Sequence, residues 1–217
     1  RVRRAYAARL REGTRTAPHL NLRCSARVDA LAKLRDELND GSSPRVSVTD
    51  LMVKAVAHTH QRVPAMNVIW MPHAVREYSS VDIAVSVATA GGLVTPVLRS
   101  VEHSCVRTVA RQLADLSDRA RCDALQQREL EGGTITVTNL GMYGTEEFAA
   151  IIHPPHAAIL AVCAARTEAV VDNGGIAVRT VLRMTLSVDP RPVDGATAAT
   201  WMSTLVDLLE HPVRILD

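Results

Sequence analysis

The sequence predicts an α/β chain of the α+β type, in which helices pack against a mixed β-sheet. Helical and strand-like segments intermingle along the 217 residues without the regular alternation that a doubly wound parallel sheet requires. Hydrophobic residues make up 47% of the chain but aromatic residues only 3%, so aliphatic side chains must fill the core. The length suits one core, and we expect a single domain over residues 1–217.

The helices are predicted from apolar spacing and from capping residues. Residues 1–13 are expected to form a basic helix that ends at Gly13. A second helix follows from the one-sided spacing of Val28, Leu31, Leu34 and Leu38. Ser47, with Asp50 three residues later, resembles a capping box that opens a third helix. Further helices are predicted at about 105–121, as a shorter segment to 130, and at about 195–210 with Asp194 at the N-cap.

The strands are predicted from runs of apolar and β-branched residues bounded by turn residues. These runs cover 20–25, 67–71, 81–88, 93–98, 134–139, 157–164 and 176–188. Gly91 and Gly92 predict a hairpin turn between two of them, and the Asp-Asn-Gly-Gly run at 172–175 predicts another.

Charge and cysteine content exclude several classes of protein. The formal net charge of +2 is too balanced for a nucleic-acid-binding surface. The four cysteines are scattered, with neither a Cys-x-x-Cys pair nor histidines at ligand spacing, so we expect reduced thiols, no metal and a cytoplasmic protein. No apolar run reaches the roughly 18 residues of a membrane span, so no membrane partner is expected either.

The stretch from Met184 to Ala196 suits a functional site better than a core, because it holds two prolines, an arginine and two carboxylates. Its run Asp189-Pro-Arg-Pro-Val-Asp-Gly195 resembles the Asp-His-Arg-x-x-Asp-Gly signature of the dihydrolipoamide acyltransferases, the E2 cores of 2-oxo acid dehydrogenase complexes. Residues 132–144 resemble that family's Gly-Thr-Phe-Thr-Ile-Ser-Asn-Leu-Gly block, and residues 151–156 resemble its Ile-Asn-Pro-Pro-Gln turn. Similar order and spacing extend over nearly the whole chain.

This resemblance implies the fold shared with chloramphenicol acetyltransferase and a homotrimer with active sites between subunits. Many relatives assemble such trimers into larger cubic or dodecahedral cores. The implied reaction moves an acyl group, most simply acetyl, from CoA or an acyl carrier thioester to a thiol or hydroxyl acceptor. Coenzyme A or acetyl-CoA is therefore expected as a substrate, and Ser47, Asn139 and Arg191 are expected to bind it or the acceptor.

Acyl transfer needs a base for the acceptor and a donor for the tetrahedral oxyanion. In the family a histidine supplies the base and a Ser or Thr hydroxyl of the neighbouring subunit supplies the donor. Thr138 stands at the hydroxyl position, and Asp194 at the residue that orders the catalytic loop and begins the last helix. Asp189 and Arg191 are expected to pair in the same loop. Pro190 stands at the histidine position, and losing a positioned base costs about 10²–10⁴-fold in rate.

Three hypotheses account for Pro190. In the first, the base has moved to His153 or His156, which replace amides in the Ile-Asn-Pro-Pro-Gln turn and titrate near neutral pH. In the second, the acceptor is activated by its own substrate, and the fold supplies CoA binding, orientation and the Thr138 hydroxyl. Stand-alone E2-like acyltransferases that acetylate a hydroxyl of a natural product such as a tetronate are an example of the use that this would fit. In the third, the chain is a catalytically inactive E2-like assembly subunit of a 2-oxo acid dehydrogenase complex.

Overall fold

The computed structural model describes Arg11 and residues 13–15, 17–41, 43–172 and 174–216. Most of the basic helix predicted at residues 1–13 lies outside this described part. Arg11 and residues 13–15 are helical, and the Ala17 N–H donates to the Gly13 carbonyl at 3.0 Å, so the prediction that Gly13 ends the helix is wrong. Gly13 instead allows a close approach to the Ile152 carbonyl, which a Cβ at this position would overlap.

A six-stranded mixed sheet forms the centre of the fold, as predicted. The strands are β1 (Leu20–Arg27), β2 (Val68–Met71), β3 (Ala74–Glu77), β4 (Ile83–Val85), β5 (Val87–Thr89), β6 (Gly92–Val94), β7 (Val97–Leu98), β8 (Ile135–Asn139), β9 (Ala158–Asp172) and β10 (Gly175–Val188). The order in the sheet is β1-β10-β9-β8-β4-β7. Strand β8 runs parallel to both of its neighbours, whereas the other pairs are antiparallel.

Among the described residues, four longer helices pack around this sheet: α1 (Asp29–Asn39), α2 (Val48–Arg62), α3 (Val106–Arg121) and α4 (Gly195–Glu210). The predicted capping box at the start of α2 is confirmed. The Asp50 N–H donates to the Ser47 hydroxyl at 3.2 Å, and the Ser47 N–H donates to the Asp50 carboxylate at 2.6 Å. In the described part of the chain, no helix combines the length and apolar content needed to cross a bilayer.

The core is largely aliphatic and lies between the sheet and the buried helices α2 and α4. Leu51 and Met52 of α2 and Trp201 and Leu205 of α4 are at most 1% exposed. The Trp201 ring packs edge to face against His60 inside this core, with the ring centroids 5.5 Å apart and Nε1 3.2 Å from His60 Nδ1. Because both helices are fully packed, the loops that precede them, ending at Ser47 and Asp194, are held in place.

The structure departs from the predicted elements in several places. The run predicted at 157–164 is longer, since β9 extends to Asp172, and the run at 93–98 is divided between β6 and β7. The run at 81–88 is interrupted at Ser86, so that β4 joins the main sheet while β5 pairs with β6 as a separate two-stranded sheet. Strand β3 was not predicted, and it forms an exposed hairpin with β2. The short helix predicted up to Leu130 is a 3-10 turn, Gln127–Glu129.

Candidate functional site

The loop after β10 is held by the predicted ion pair, which the structure confirms. The guanidinium of Arg191 donates to both carboxylate oxygens of the buried Asp189, at 2.9 Å from Nε and 2.6 Å from Nη2. Hydrogen bonding to this carboxylate raises the pKa of Arg191. The Asp189 N–H donates to the Ala157 carbonyl at 2.8 Å, so the loop is also tied to the segment that follows the His-Pro-Pro-His turn. Pro190 is exposed at the tip of this loop.

The far end of the loop is fixed by the cap of α4, as the sequence predicted. The Asp194 carboxylate accepts from the Thr197 N–H at 2.7 Å, and this hydrogen bond lowers the pKa of Asp194. Pro190 therefore lies between the two members of the ion pair, and the helix cap at Asp194 fixes the loop four residues later. The loop is ordered by its own side chains even though residue 190 carries no polar group.

One face of β8 carries a row of threonines. Residues 134, 136 and 138 point to the same side because side chains alternate along a strand. The Thr134 hydroxyl donates to Asn67 Oδ1 at 2.7 Å, and the Thr136 hydroxyl lies 2.7 Å from His156 Nδ1. Thr138 continues this row and is 8% exposed. The hydroxyl that the sequence marked as a candidate oxyanion donor thus faces the same side as the His-Pro-Pro-His turn.

His156 has both ring nitrogens engaged by the protein. Nε2 lies 2.9 Å from the Gly132 carbonyl, which can only accept, so Nε2 carries the hydrogen and Nδ1 accepts from the Thr136 hydroxyl. Burial lowers the pKa of His156 from 6.5 to about 4, so the ring is neutral near pH 7. Gly132 itself has a positive φ of 93°, a conformation that favours glycine at this position. These two hydrogen bonds give His156 a structural role, since they hold the turn against Gly132 and Thr136. Its predicted role as a base stays a prediction.

His153 is buried close by, with its ring centroid 5.9 Å from that of His156. Its Nε2 lies 3.5 Å from the hydroxyl of Thr95, which is also buried. His153 is thus a neighbour of His156, the ring that contacts Thr136 of β8. Thr95 was not among the predicted site residues, because it lies within the run at 93–98 that predicted only a strand.

A cavity of about 580 Å³ opens at the start of α2 and brings together two of the predicted binding residues, Ser47 and Asn139. The Asn139 side chain links the walls: its Nδ2 donates to the Thr49 hydroxyl at 3.0 Å, and its Oδ1 accepts from the Gly141 N–H at 2.7 Å. Arg45, Arg121 and Tyr143 also line it. Arg191, the third predicted binding residue, lies instead on the loop after β10.

The predicted site residues therefore form three groups: the cavity with Ser47 and Asn139, the β8 face with Thr138 and the two histidines, and the loop that ends at Asp194. Within the described ranges, no cluster of three or more His, Cys, Asp or Glu side chains is arranged to hold a metal ion.

Residues 1–216 match the family model described as 2-oxoacid dehydrogenases acyltransferase (catalytic domain). The chain belongs to this family. It is 39% identical, over 99% of its length, to the mitochondrial dihydrolipoyllysine-residue acetyltransferase component of the pyruvate dehydrogenase complex from Dictyostelium discoideum. The match covers 34% of that relative, so the chain spans about a third of its length.

Solved structures of the family superpose on nearly the whole chain. One is the dihydrolipoamide acetyltransferase of Azotobacter vinelandii, in which the catalytic roles of a serine, a histidine and an asparagine were investigated. It is 29% identical to this chain and superposes with a TM-score of 0.94. The superposition covers 99% of this chain and 90% of that one. Another is the cubic core of the pyruvate dehydrogenase multienzyme complex, with the same identity, TM-score and coverage. Chloramphenicol acetyltransferase is 14% identical and superposes with a TM-score of 0.59 over 93% of this chain and 94% of the other chain. This likeness confirms the predicted fold alone.

Proposed function

We propose that this family member transfers an acyl group, most simply acetyl, from CoA or another thioester to a thiol or hydroxyl acceptor. Family membership supports the reaction class. The observation that carries the proposal for this particular chain is the buried histidine pair of the turn. The ring centroids of His153 and His156 are 5.9 Å apart, and His156 lies 2.7 Å from Thr136 on the strand that also carries Thr138.

Thr138, Pro190 and Asp194 are separated along the chain by the same intervals as the serine, histidine and asparagine studied in the Azotobacter enzyme. These equal intervals support the proposal that Pro190 occupies the place of a catalytic histidine and that Thr138 occupies the place of a catalytic serine. A proline cannot take up a proton, so another group must accept the acceptor's proton.

His153 is the proposed base. It would remove the proton from the acceptor thiol or hydroxyl as the acceptor attacks the thioester carbonyl, and return that proton to the CoA thiolate when the carbon–sulfur bond breaks. The Thr138 hydroxyl would donate to the oxyanion of the tetrahedral intermediate. The Thr95 hydroxyl, 3.5 Å from His153 Nε2, helps to hold the ring, and His156 anchors the turn through Gly132 and Thr136.

The cavity at the start of α2 is the proposed binding place for CoA. Ser47 and Asn139 offer polar groups along its wall, and Arg45 supplies a positive charge that suits a phosphate group. Arg121, on the same wall, is paired with Asp118 at 2.9 Å. The proposed working unit is a homotrimer, in keeping with the self-assembled cubic core formed by a solved relative. Assembly beyond the trimer belongs to the same proposal.

The test compares His153→Ala with His156→Gln and the wild type, using acetyl-CoA with dihydrolipoamide and with a small hydroxyl acceptor. Release of free CoA thiol is the readout, and gel filtration checks assembly. We expect His153→Ala to lose about 10²–10⁴-fold in rate while His156→Gln remains active. Wild-type rates in His153→Ala and in the His153, His156 double variant would exclude a histidine base from this turn and leave activation by the acceptor itself, for example a natural-product hydroxyl.

A second candidate function is favoured by Pro190 itself: a catalytically inactive assembly subunit. Its loop keeps the Asp189–Arg191 ion pair and the Asp194 cap, contacts that serve the fold without chemistry. Such a subunit should bind E2 or E3 partners and fail to bind CoA in calorimetry, whereas a transferase should bind CoA. In an inactive wild type, gain of transfer to dihydrolipoamide by Pro190→His would show that the remaining site is intact.

A further inference from the structure

Trp70 lies where the exposed β2–β3 hairpin meets the loop after β10. Its ring is 5.4 Å from Arg191 Cζ, within the range of a cation–π contact, and its side chain is 36% exposed. The edge of the Arg191 guanidinium is taken by Asp189, which leaves the flat face free to stack on an indole. Arg191 is thus held at its edge by a carboxylate and lies over the ring of Trp70.

The same hairpin is fixed to the His-Pro-Pro-His turn through its backbone. Ile69 forms an isolated antiparallel bridge with His156, one residue before Trp70. The hydrogen bond from the Asp189 N–H to the Ala157 carbonyl then joins the His-Pro-Pro-His turn to the loop after β10. The residues Ile69 and Trp70 therefore connect the turn that carries His153 with the loop that carries Pro190.

We propose that Trp70 is a positioning residue, which sets the orientation of residues 189–191 relative to the His-Pro-Pro-His turn by stacking on Arg191. It acts through Arg191 and takes no part in bond making. This inference rests on the proposed acyl transfer for its kinetic consequence, but the position of the loop can be measured without any turnover.

The experiment compares Trp70→Ala, Trp70→Phe and Val75→Ala in the full chain. Val75 is the cross-strand partner of Trp70 on the same exposed hairpin, at 42% exposure, and is the matched control. Amide hydrogen exchange of the segment containing residues 189–193 is the first readout. We expect faster exchange there in Trp70→Ala, and exchange close to wild type in Trp70→Phe and Val75→Ala, because phenylalanine still offers a ring face.

Acrylamide quenching provides a second readout that needs no activity. The chain contains two tryptophans, and Trp201 is wholly buried, so quenching of the wild-type protein reports on Trp70. Replacing Arg191 with glutamine should raise the quenching constant, since the guanidinium no longer covers the indole. An unchanged constant would overturn the stacking contact.

In transfer assays, Trp70→Ala should lower kcat about tenfold at unchanged KM for acetyl-CoA, and Trp70→Phe should restore most of the rate. Equal loop exchange in Trp70→Ala and Val75→Ala would overturn the positioning role. A wild type without transfer activity would refute the proposed function instead, and the exchange and quenching results would still decide the role of Trp70.

Discussion

Replacing His156 with glutamine should reduce the dependence of stability on pH between about pH 6.5 and pH 4. The imidazole is fully buried, its pKa is lowered to about 4, and its Nε2 hydrogen is committed to the Gly132 carbonyl. A protonated ring would lose the hydrogen bond that Nδ1 accepts from the Thr136 hydroxyl, and it would carry a charge without solvent. Glutamine can still donate to Gly132 but does not take up a proton.

The magnitude follows from linkage between protonation and folding. Above the unfolded-state pKa of 6.5 the ring is neutral in both states and contributes no pH dependence. As the pH falls through 6.5, the unfolded chain binds a proton that the folded chain does not, so stability is lost at up to about 1.4 kcal/mol per pH unit. Below the folded pKa of about 4 the loss levels off, at roughly 3 kcal/mol in total. Between about pH 7 and pH 5 the loss should be about 2 kcal/mol.

The assay is denaturant unfolding followed by circular dichroism at about pH 7 and pH 5, with protomer concentration fixed because assembly would otherwise shift the midpoint. His60 is also fully buried, with a pKa lowered to about 4, and it remains in the variant. The wild type should therefore lose more stability on acidification than His156→Gln does, by about 2 kcal/mol. Equal losses in the two proteins would refute the reasoning that His156 is held neutral by burial.

Three further substitutions test the other groups of the site. Thr138→Val should lower kcat about 10²-fold while Thr138→Ser remains active, and a wild-type rate in the valine variant would remove this hydroxyl from the mechanism. Asp194→Ala should lower the thermal midpoint of unfolding because it removes the α4 cap. Asp194→Asn should keep most of the cap's stabilisation, since an amide oxygen still accepts from the Thr197 N–H. Identical midpoints for the two variants would show that the cap contributes nothing. Asn139→Ala should raise KM for acetyl-CoA with little change in kcat, since it removes the hydrogen bond from Asn139 to Thr49 across the cavity wall. An unchanged KM in steady-state kinetics would contradict this.

Most of the fold follows from local sequence signals. The Ser47–Asp50 capping box, the apolar spacing of α1 and the cap at Asp194 are local, and each helix begins where these signals place it. The strand errors have a non-local cause. The run at 81–88 is mostly apolar, but its backbone leaves one sheet and enters another at Ser86, where the N–H donates to the Val137 carbonyl. A distant partner decides that break, and periodicity cannot show it.

The site was predictable as a set of residues but not as an arrangement. The Asp189–Arg191 ion pair spans two residues, so sequence spacing was enough to predict it. Distinguishing His153 from His156 required the structure, because the carbonyl and hydroxyl that engage His156 come from Gly132 and Thr136, about twenty residues away. The contribution of Trp70 was also hidden, since its strand is remote in sequence from the loop that it contacts.

The arrangement has a consequence for where the proposed chemistry is assembled. In this family, as the sequence resemblance implies, the base and the oxyanion donor come from different subunits. Here His153 and Thr138 belong to one chain, and the turn that carries His153 is fixed within that chain by the bonds of His156 and by the Asp189 N–H to Ala157 contact. In the proposed mechanism, the loop after β10 that carries Pro190 does not supply a base. Its remaining role is to shape the path by which the acceptor enters. Relocating the base would then free residue 190 to become a rigid, apolar wall, which is what a proline provides.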